Sequence, residues 1–142
     1  VILLLGIKKE SFPSEIQKSD PAAKHLLEKG HEFGTTTGRE RRCGWFDVRS
    51  AKHSIMTNGF NKIAIMKLDV LDGIKEIKIL NSIGNKIKYD TMPGWDQSTV
   101  GIKDYSRLPE NAKKYLNYLE KQLETKIDII STGPERDQTI SD

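Results

Sequence analysis

The sequence lacks the features that mark secreted and membrane-spanning proteins. Cys43 is the single cysteine among 142 residues, so no internal disulfide can form, which agrees with a reducing compartment. The apolar run at residues 1–5 is far too short to cross a bilayer, and no small-residue cleavage site follows it. We therefore expect a cytoplasmic protein that has no membrane partner.

Signatures of metal sites and phosphate loops are also missing. His25, His31 and His53 do not follow the spacing of a metal-ligand set, and Cys43 has no second cysteine to join it. No Gly-Lys-Ser or Gly-Lys-Thr ending follows a glycine-rich stretch, so the chain has no phosphate loop of that kind. The sequence predicts no metal site in this chain.

The charge is too evenly balanced to indicate a nucleic-acid-binding protein. Lysine and arginine total 23, aspartate and glutamate total 20, and the net charge is +3. A nucleic-acid-binding domain built on Arg39, Arg41 and Arg42 with Trp45 stays the weakest alternative, since no basic stripe occurs elsewhere. Its mark would be affinity that falls steeply as the salt concentration rises.

The order of helix and strand signals predicts an α/β fold of short strands with flanking helices. Hydrophobic residues make up 36% of the chain and charged residues 30%, which at this length indicates one globular region over residues 1–142. Helices are predicted at residues 21–29 and 48–58 and from residue 109 onward; strands are predicted at 62–66, 76–80, 86–89 and 127–130.

Individual residues predict the ends and the buried faces of the helices. Asp20 caps the first helix and Gly30 ends it, while Asp47 caps the second. The second helix is expected to turn four residues inward: Val48, Ala51, Ile55 and Met56. The third carries a continuous apolar stripe at helical spacing: Ala112, Tyr115, Leu116, Leu119 and Leu123.

The remaining segments are predicted as turns and loops. Gly84-Asn85 indicates the turn of a hairpin, and Pro93-Gly94 indicates a second turn. Strand 62–66 should be buried, because it is a short, strongly apolar run. Trp45 and Trp95 are expected to be packing anchors, and His25 and His53 to lie on helix surfaces. Residues 131–134 are predicted as a loop, and we expect the last residues of the chain, which are polar, to be mobile.

The densest concentration of hydrogen-bond donors lies at residues 34–42, with the sequence GTTTGRERR. Glycines let a backbone approach a ligand, hydroxyls donate hydrogen bonds, and arginines offer forked, permanently charged donors for carboxylates and phosphates. The local sequence alone favours a solvated basic loop over a ligand site. Six residues are the candidates for binding an anion: Thr35, Thr36, Thr37, Gly38, Arg39 and Arg41.

Two further candidate sites lie at predicted strand ends, where open α/β sheets bind ligands. Lys67, Leu68 and Asp69 follow the strand at 62–66, and Ser131, Thr132 and Gly133 follow the strand at 127–130. The local sequence favours a charge pair at the first and an ordinary turn at the second.

Four separated motifs occur in an order that resembles adenylosuccinate synthetase, the enzyme that joins IMP to L-aspartate at the expense of GTP. They are residues 41–47 (RRCGWFD), 67–73 (KLDVLDG), 92–95 (MPGW) and 131–139 (STGPERDQT). The resemblance runs over residues 31–139 and extends back to 12–15 (FPSE). It covers the C-terminal part of that enzyme, whose fold is similar to that of phosphate-loop NTPases. The residues upstream of Phe12 depart from the family pattern, and the region between Leu80 and Met92 is shorter than in the family.

The resemblance implies a role for each candidate residue. Residues 34–42 would be the aspartate loop, in which Thr35, Thr36, Thr37 and Gly38 hold the aspartate carboxylates. Arg39 would bridge aspartate and IMP, and Arg41 would reach from the aspartate loop toward GTP. No role is assigned to Glu40, because its position varies in the family.

The same resemblance implies a guanine pocket at the two strand ends. Guanine presents its N1–H and its exocyclic amine side by side, and the Asp69 carboxylate offers two matching acceptors. Adenine lacks this pair of donors, so the carboxylate would select GTP over ATP. Lys67 and Leu68 would flank the base on one side, and Ser131, Thr132 and Gly133 would close the pocket on the other.

The resemblance also implies what this chain does not contain. In the family the catalytic base and acid, the phosphate loop and the Mg²⁺ ligands are N-terminal, so we expect no catalytic residue here and no turnover by the chain alone. The family forms homodimers. The alternative is an inactive fragment or a guanine-nucleotide-binding module that needs a separate N-terminal half.

Overall fold

The computed structural model describes residues 13–83 and 87–141, which form a mixed α/β fold of two small sheets and three α-helices. The helices are α1 (Pro21–Lys29), α2 (Val48–Asn58) and α3 (Glu110–Leu123). The strands are β1 (Phe46–Asp47), β2 (Lys62–Ile65), β3 (Glu76–Ile83), β4 (Ile87–Pro93), β5 (Lys126–Ser131) and β6 (Thr139–Ser141). Short 3₁₀ helices lie at Leu68–Leu71 and Tyr105–Arg107. No helix within the described residues is long and apolar enough to cross a membrane.

Each sheet has three strands and combines a parallel pair with an antiparallel pair. In the first, β3 lies between β1, to which it runs parallel, and β4, to which it runs antiparallel. In the second, β5 lies between parallel β2 and antiparallel β6. Because β2 and β5 are parallel, their carboxyl ends lie at the same edge of the sheet, and this brings residues 67–69 and 131–133 to a common side.

The predicted helix ends are confirmed. Asp20 caps α1 by accepting a hydrogen bond from the backbone N–H of Ala22 at 2.9 Å. Asp47 caps α2 by accepting from the N–H groups of Arg49 and Ser50 at 3.0 and 3.1 Å. A capping carboxylate satisfies N–H groups that have no partner inside the helix, and its charge is favourable at the positive end of the helix dipole.

The apolar stripe of α3 is also confirmed. All five of its predicted residues are buried in the core: Ala112, Tyr115, Leu116, Leu119 and Leu123. The Tyr115 and Trp95 rings lie 6.2 Å apart between centroids, and Trp45 and Trp95 are both buried, as expected of packing anchors.

The inward faces of α2 and β2 are only partly as predicted. Val48 is buried and Ala51 and Ile55 pack against the core, but Met56 is 78% exposed and the prediction for it is wrong. In β2 only Ile65 is buried, because β2 lies at the edge of its sheet. An apolar run does not distinguish a strand covered on both faces from an edge strand.

The chain end also differs from the prediction. The structure places β6 beside β5, with Ile140 opposite Ile130 and only 6% exposed. The prediction of a mobile tail is therefore wrong over Thr139–Ser141. The segment escaped prediction because three residues carrying one apolar side chain give almost no periodic signal.

The predicted hairpin is confirmed and is longer than expected. It consists of β3 and β4, with Leu80 opposite Tyr89. Gly84-Asn85 lies outside the described residues. Pro93 ends β4 at the sheet edge, where a residue without an N–H is tolerated. Gly94 then passes so close to Ile74 that an added Cβ would lie 1.6 Å from its carbonyl oxygen.

Candidate functional site

Residues 34–42 form a tight turn that is closed at its base by backbone hydrogen bonds. Phe33 and Glu40 make an antiparallel bridge, and the Gly34 N–H donates to the Arg39 carbonyl at 2.8 Å. The Gly38 N–H donates back to the Gly34 carbonyl at 2.8 Å, and Gly38 adopts a left-handed φ of 62° that favours glycine. The turn is therefore held mainly by its backbone, and Thr37 Oγ1 adds one long hydrogen bond by accepting from the Arg39 N–H at 3.4 Å.

The side chains of this turn point to solvent. Thr35, Thr36, Thr37, Gly38 and Arg39 are all exposed. Within the described residues the Arg39 guanidinium makes no hydrogen bond or ion pair. An exposed row of hydroxyls beside a guanidinium on a turn of fixed shape can receive a small carboxylate ligand.

The three arginines after Gly38 have different surroundings. Arg41 Nη1 donates to Glu32 Oε2 at 3.2 Å, toward the base of the turn. Arg42 makes a two-pronged pair with Glu15, with bonds of 2.7 and 2.6 Å, and so ties this segment to the start of the described chain. Arg39 is thus the arginine most open to a ligand, Arg41 is shared with Glu32, and Arg42 is structural.

Lys67 lies in the left-handed region, with φ 58° and ψ 47°, directly before the 3₁₀ helix at Leu68–Leu71. Its Nζ donates to the carbonyl of Gly30 and to Glu32 Oε1, each at 2.8 Å. Leu68 is only 1% exposed, so its side chain belongs to the core and only its backbone is available to a ligand.

Asp69 carries an acceptor that the fold does not use. Its Oδ1 is shielded from solvent and has no hydrogen-bond partner among the residues described. Burial raises the pKa of the Asp69 carboxyl, and the nearby charge of Asp72 adds to the rise. A shielded acceptor without a donor is costly to the fold, which is the pattern expected where a ligand supplies the missing donor.

The other predicted half of the pocket is already hydrogen-bonded within the protein. Thr132 is completely buried, and its hydroxyl lies 2.8 Å from the Ile102 carbonyl oxygen and 3.2 Å from that of Gln138. Ser131 Oγ donates to the Gly133 carbonyl at 3.0 Å. These side chains give the loop its shape, and a Cβ on Gly133 would meet Gln138 Oε1 at 2.1 Å.

Sequence reasoning missed two buried carboxylates near the site. Glu32 joins Arg41 to Lys67, and Asp72 accepts hydrogen bonds from Trp95 Nε1 at 2.6 Å and from the Thr99 N–H at 2.7 Å. Asp72 follows the 3₁₀ helix at Leu68–Leu71 and fixes the loop that follows β4. The available signal was indirect: a buried tryptophan N–H needs an acceptor, and the sequence alone does not say which.

His25 also differs from its prediction. It is half-buried, and its Nε2 lies 3.0 Å from the Val70 carbonyl oxygen, which joins α1 to the 3₁₀ helix at Leu68–Leu71. Its apolar neighbours on α1 did not reveal this contact, because Val70 is 45 residues away. His53 is exposed on α2, as predicted.

Cavities coincide with few of the predicted residues: a cavity of about 360 Å³ is lined by Arg41 and by no other candidate ligand residue. A cavity of about 590 Å³ is lined by residues of α1 and by residues 73–78, with Trp45, and includes none of the candidate ligand residues. Within residues 13–83 and 87–141, no three His, Cys, Asp or Glu side chains gather as metal ligands. No chemical step is assigned to a metal ion in this chain.

Comparison with known proteins gives a consistent result. The family model for adenylosuccinate synthetase matches residues 7–140. The adenylosuccinate synthetase of Marinobacter nauticus is 45% identical over 150 residues, which cover 92% of this chain and 34% of the relative. That of Neisseria meningitidis serogroup B is 45% identical over 148 residues, covering 91% and 34%.

A solved structure agrees with these relatives. It is the fully ligated adenylosuccinate synthetase from Plasmodium falciparum, with a TM-score of 0.84 and 33% identity, covering 92% of this chain and 36% of that chain. The chain spans about a third of the length of the curated relatives it matches.

Proposed function

Because the chain belongs to the adenylosuccinate synthetase family, we propose that it supplies the aspartate loop and the guanine pocket of an enzyme that ligates IMP and L-aspartate to adenylosuccinate. In this reaction the γ-phosphoryl group of GTP goes to O6 of IMP. The amine of aspartate then displaces phosphate, so that GDP and phosphate are released. The step commits IMP to AMP in purine biosynthesis, and we place it in the cytoplasm.

The aspartate loop acts by presenting donors on a preorganised turn. Thr35, Thr36 and Thr37 offer hydroxyl and backbone donors to the aspartate carboxylates, and Gly38 lets the chain turn back. The exposed Arg39 supplies charge to aspartate and to IMP together. Because backbone hydrogen bonds hold the turn at 34–39, the ligand does not have to organise it, which lowers the entropy cost of binding.

The guanine pocket acts through Asp69, and the observation that carries this proposal is the shielded Asp69 Oδ1 with no partner in the described chain. The N1–H and exocyclic amine of guanine would donate to the two carboxylate oxygens. Adenine would leave them unsatisfied in a partly desolvated place, which penalises ATP. Lys67 and Leu68 border the base on one side, and Ser131, Thr132 and Gly133 border it on the other.

Catalysis is assigned to the rest of the enzyme. No residue of this chain is proposed as catalytic acid or base, and Mg²⁺ is proposed to be held by residues outside it. We further propose that the two small sheets complete the phosphate-loop-NTPase-like fold of a full-length synthetase, which would act as a homodimer or with a separate N-terminal half.

The test is calorimetric titration of the 142-residue chain with GTP and with ATP, repeated on Asp69→Asn. We expect selective GTP binding that Asp69→Asn abolishes, because the amide presents one donor where guanine needs two acceptors. Asp96→Asn is the matched control, since Asp96 is exposed, and it should bind GTP like the unmodified chain.

The same titrations distinguish the alternatives. GTP binding without adenylosuccinate formation favours a guanine-nucleotide-binding module that needs an N-terminal half, and mixing the halves should then restore ligase activity. Product formation by this chain alone would refute the assignment of catalysis to other residues. Equal binding of GTP and ATP would refute the role of Asp69.

A further inference from the structure

A single buried carboxylate connects the two predicted ligand patches. Glu32 is 4% exposed; its Oε2 accepts from Arg41 Nη1 at 3.2 Å, and its Oε1 accepts from Lys67 Nζ at 2.8 Å. Arg41 belongs to the loop at 34–42. Lys67, which is 35 residues from Glu32 in the sequence, belongs with Asp69 to the strand-end segment. The aspartate loop and the guanine edge are therefore linked through one side chain.

The backbone around Glu32 places this carboxylate with little freedom. Its N–H donates to the Leu27 carbonyl at 2.9 Å, and its carbonyl accepts from the Arg41 N–H at 2.9 Å. Gly30 leaves room for it: a Cβ at Gly30 would lie 3.1 Å from Glu32 Cγ. Lys67 itself adopts a left-handed φ of 58°, and its Nζ donates to the carbonyl of Gly30 at the end of α1.

The link leaves both cations able to meet a ligand. The Arg41 side chain is 30% exposed and the Lys67 side chain 50% exposed, whereas the Glu32 side chain is 5% exposed. Arg41 has five N–H donors and uses one of them on Glu32, and Lys67 has three and uses two on Glu32 and Gly30. The N–H groups that stay unused on both cations can donate to the oxygens of a polyphosphate.

We propose that Glu32 is a positioning residue, which fixes the spacing of Arg41 and Lys67 and thereby sets the affinity for a nucleoside triphosphate whose base lies at Asp69. This rests on the proposed function. Glu32 acts through Arg41 and Lys67 and does not itself touch the nucleotide, because its two carboxylate oxygens accept hydrogen bonds from these two side chains.

The first measurement reports on Lys67 without any nucleotide. Brief labelling with acetic anhydride, read by mass spectrometry, gives the reactivity of each lysine amine. We expect Glu32→Gln to raise the labelling rate of Lys67 several-fold, because the amine loses its ionic partner. Glu40→Gln is the matched control: Glu40 is an exposed carboxylate at the same turn, paired with Lys18 at 2.6 Å, so labelling should rise at Lys18 only.

The second measurement is calorimetric titration with GTP. We expect Glu32→Gln to weaken GTP binding by about tenfold, the loss typical of a charged hydrogen bond, with the preference over ATP retained because Asp69 is intact. Glu40→Gln should leave the affinity unchanged. A general loss of structure would lower the affinity and remove the preference together, so the two causes are distinguishable.

The outcomes separate this inference from the proposed function. Unchanged Lys67 labelling in folded Glu32→Gln overturns the inference, as does unchanged GTP affinity when Lys67 is released. If the unmodified chain binds no GTP, the proposed pocket fails in this chain and the labelling alone decides whether Glu32 holds Lys67. If Glu32→Gln does not fold, Glu32→Asp replaces it: the charge stays, but the side chain is too short to reach both cations, so the same shifts are expected.

Discussion

The turn at residues 34–42 and the strand-end loop at residues 131–133 contain similar small hydroxyl residues and use them in opposite ways. In the turn, three consecutive threonines are exposed, and backbone hydrogen bonds close the structure, joined by a long bond of 3.4 Å from the Arg39 N–H to Thr37 Oγ1. In the strand-end loop, Ser131 and Thr132 are buried and their hydroxyls are bonded to backbone carbonyls. Hydroxyls of the first kind are open to solvent, and those of the second kind give the strand-end loop its shape.

The largest effect on stability is expected from Asp72→Ala, which removes the buried carboxylate that holds Trp95 and Thr99 in place. Its oxygens accept from Trp95 Nε1 and from the N–H and hydroxyl of Thr99. We expect the free energy of unfolding to fall by about 3 kcal/mol or more, because three buried donors lose a charged acceptor. Urea denaturation followed by tryptophan fluorescence measures it. Asp96→Ala, at an exposed carboxylate, should change it by less than about 0.5 kcal/mol, and equal losses would contradict the role given to Asp72.

The next largest effect is expected from Thr132→Val. The substitution keeps the shape of the side chain and removes the hydroxyl that lies 2.8 Å from the Ile102 carbonyl oxygen. We expect a loss of about 1–2 kcal/mol in the free energy of unfolding, the cost of leaving a buried carbonyl without its donor. Denaturation under the same conditions measures it, and a neutral result would mean that the hydroxyls of the two regions are not used differently.

A loss of similar size is expected from Gly38→Ala in the exposed turn. A Cβ there would meet no atom within 4 Å, so the cost comes from the left-handed φ of 62° alone. That conformation costs about 1–2 kcal/mol for a residue with a Cβ. The denaturation midpoint measures it, and Gly38→Asn is the control, because asparagine tolerates this conformation better and should lose less.

The comparison also explains what the sequence could predict. The helix caps at Asp20 and Asp47 and the stripe of α3 depend on residues within a few positions of each other, and all three predictions are confirmed. The density of hydrogen-bond donors indicated the turn and the apolar runs indicated the strand ends, and the ligand roles that the resemblance implies for them stay predictions. What sequence reasoning missed depends on contacts over long separations: Glu32 meets Lys67 35 residues away, and Asp72 meets Thr99 27 residues away. A carboxylate can be buried only where hydrogen-bond donors lie next to it in the folded protein, and neither periodicity nor local composition shows where those donors are.

Asp69→Asn should alter the pH dependence of stability with little cost to the fold. Burial raises the pKa of Asp69 above its usual 3.8, so the folded state binds the proton more tightly than the unfolded state does. The stability contributed by the protonated form is therefore complete below the usual pKa and is lost as the pH rises through the higher folded value. Asparagine cannot ionise, so the variant should gain stability relative to the unmodified chain across that interval. Thermal unfolding between pH 3 and pH 7 measures the difference, and a constant difference would show that desolvation does not act on Asp69.

The smallest effect on the fold is expected from Thr36→Val, the counterpart of Thr132→Val in the exposed turn. Thr36 is exposed, and its hydroxyl makes no hydrogen bond within the described part of the chain. The free energy of unfolding should change by less than about 0.5 kcal/mol, because the substitution removes a solvated hydroxyl and breaks no contact within the protein. Denaturation in the same series as Thr132→Val measures both changes under one set of conditions. A loss above about 1 kcal/mol would mean that this threonine stabilises the turn, and the threonines of the loop would then resemble those of the strand end. An unchanged free energy of unfolding would instead mean that the Thr36 hydroxyl is free for the aspartate carboxylate that the proposed function assigns to it.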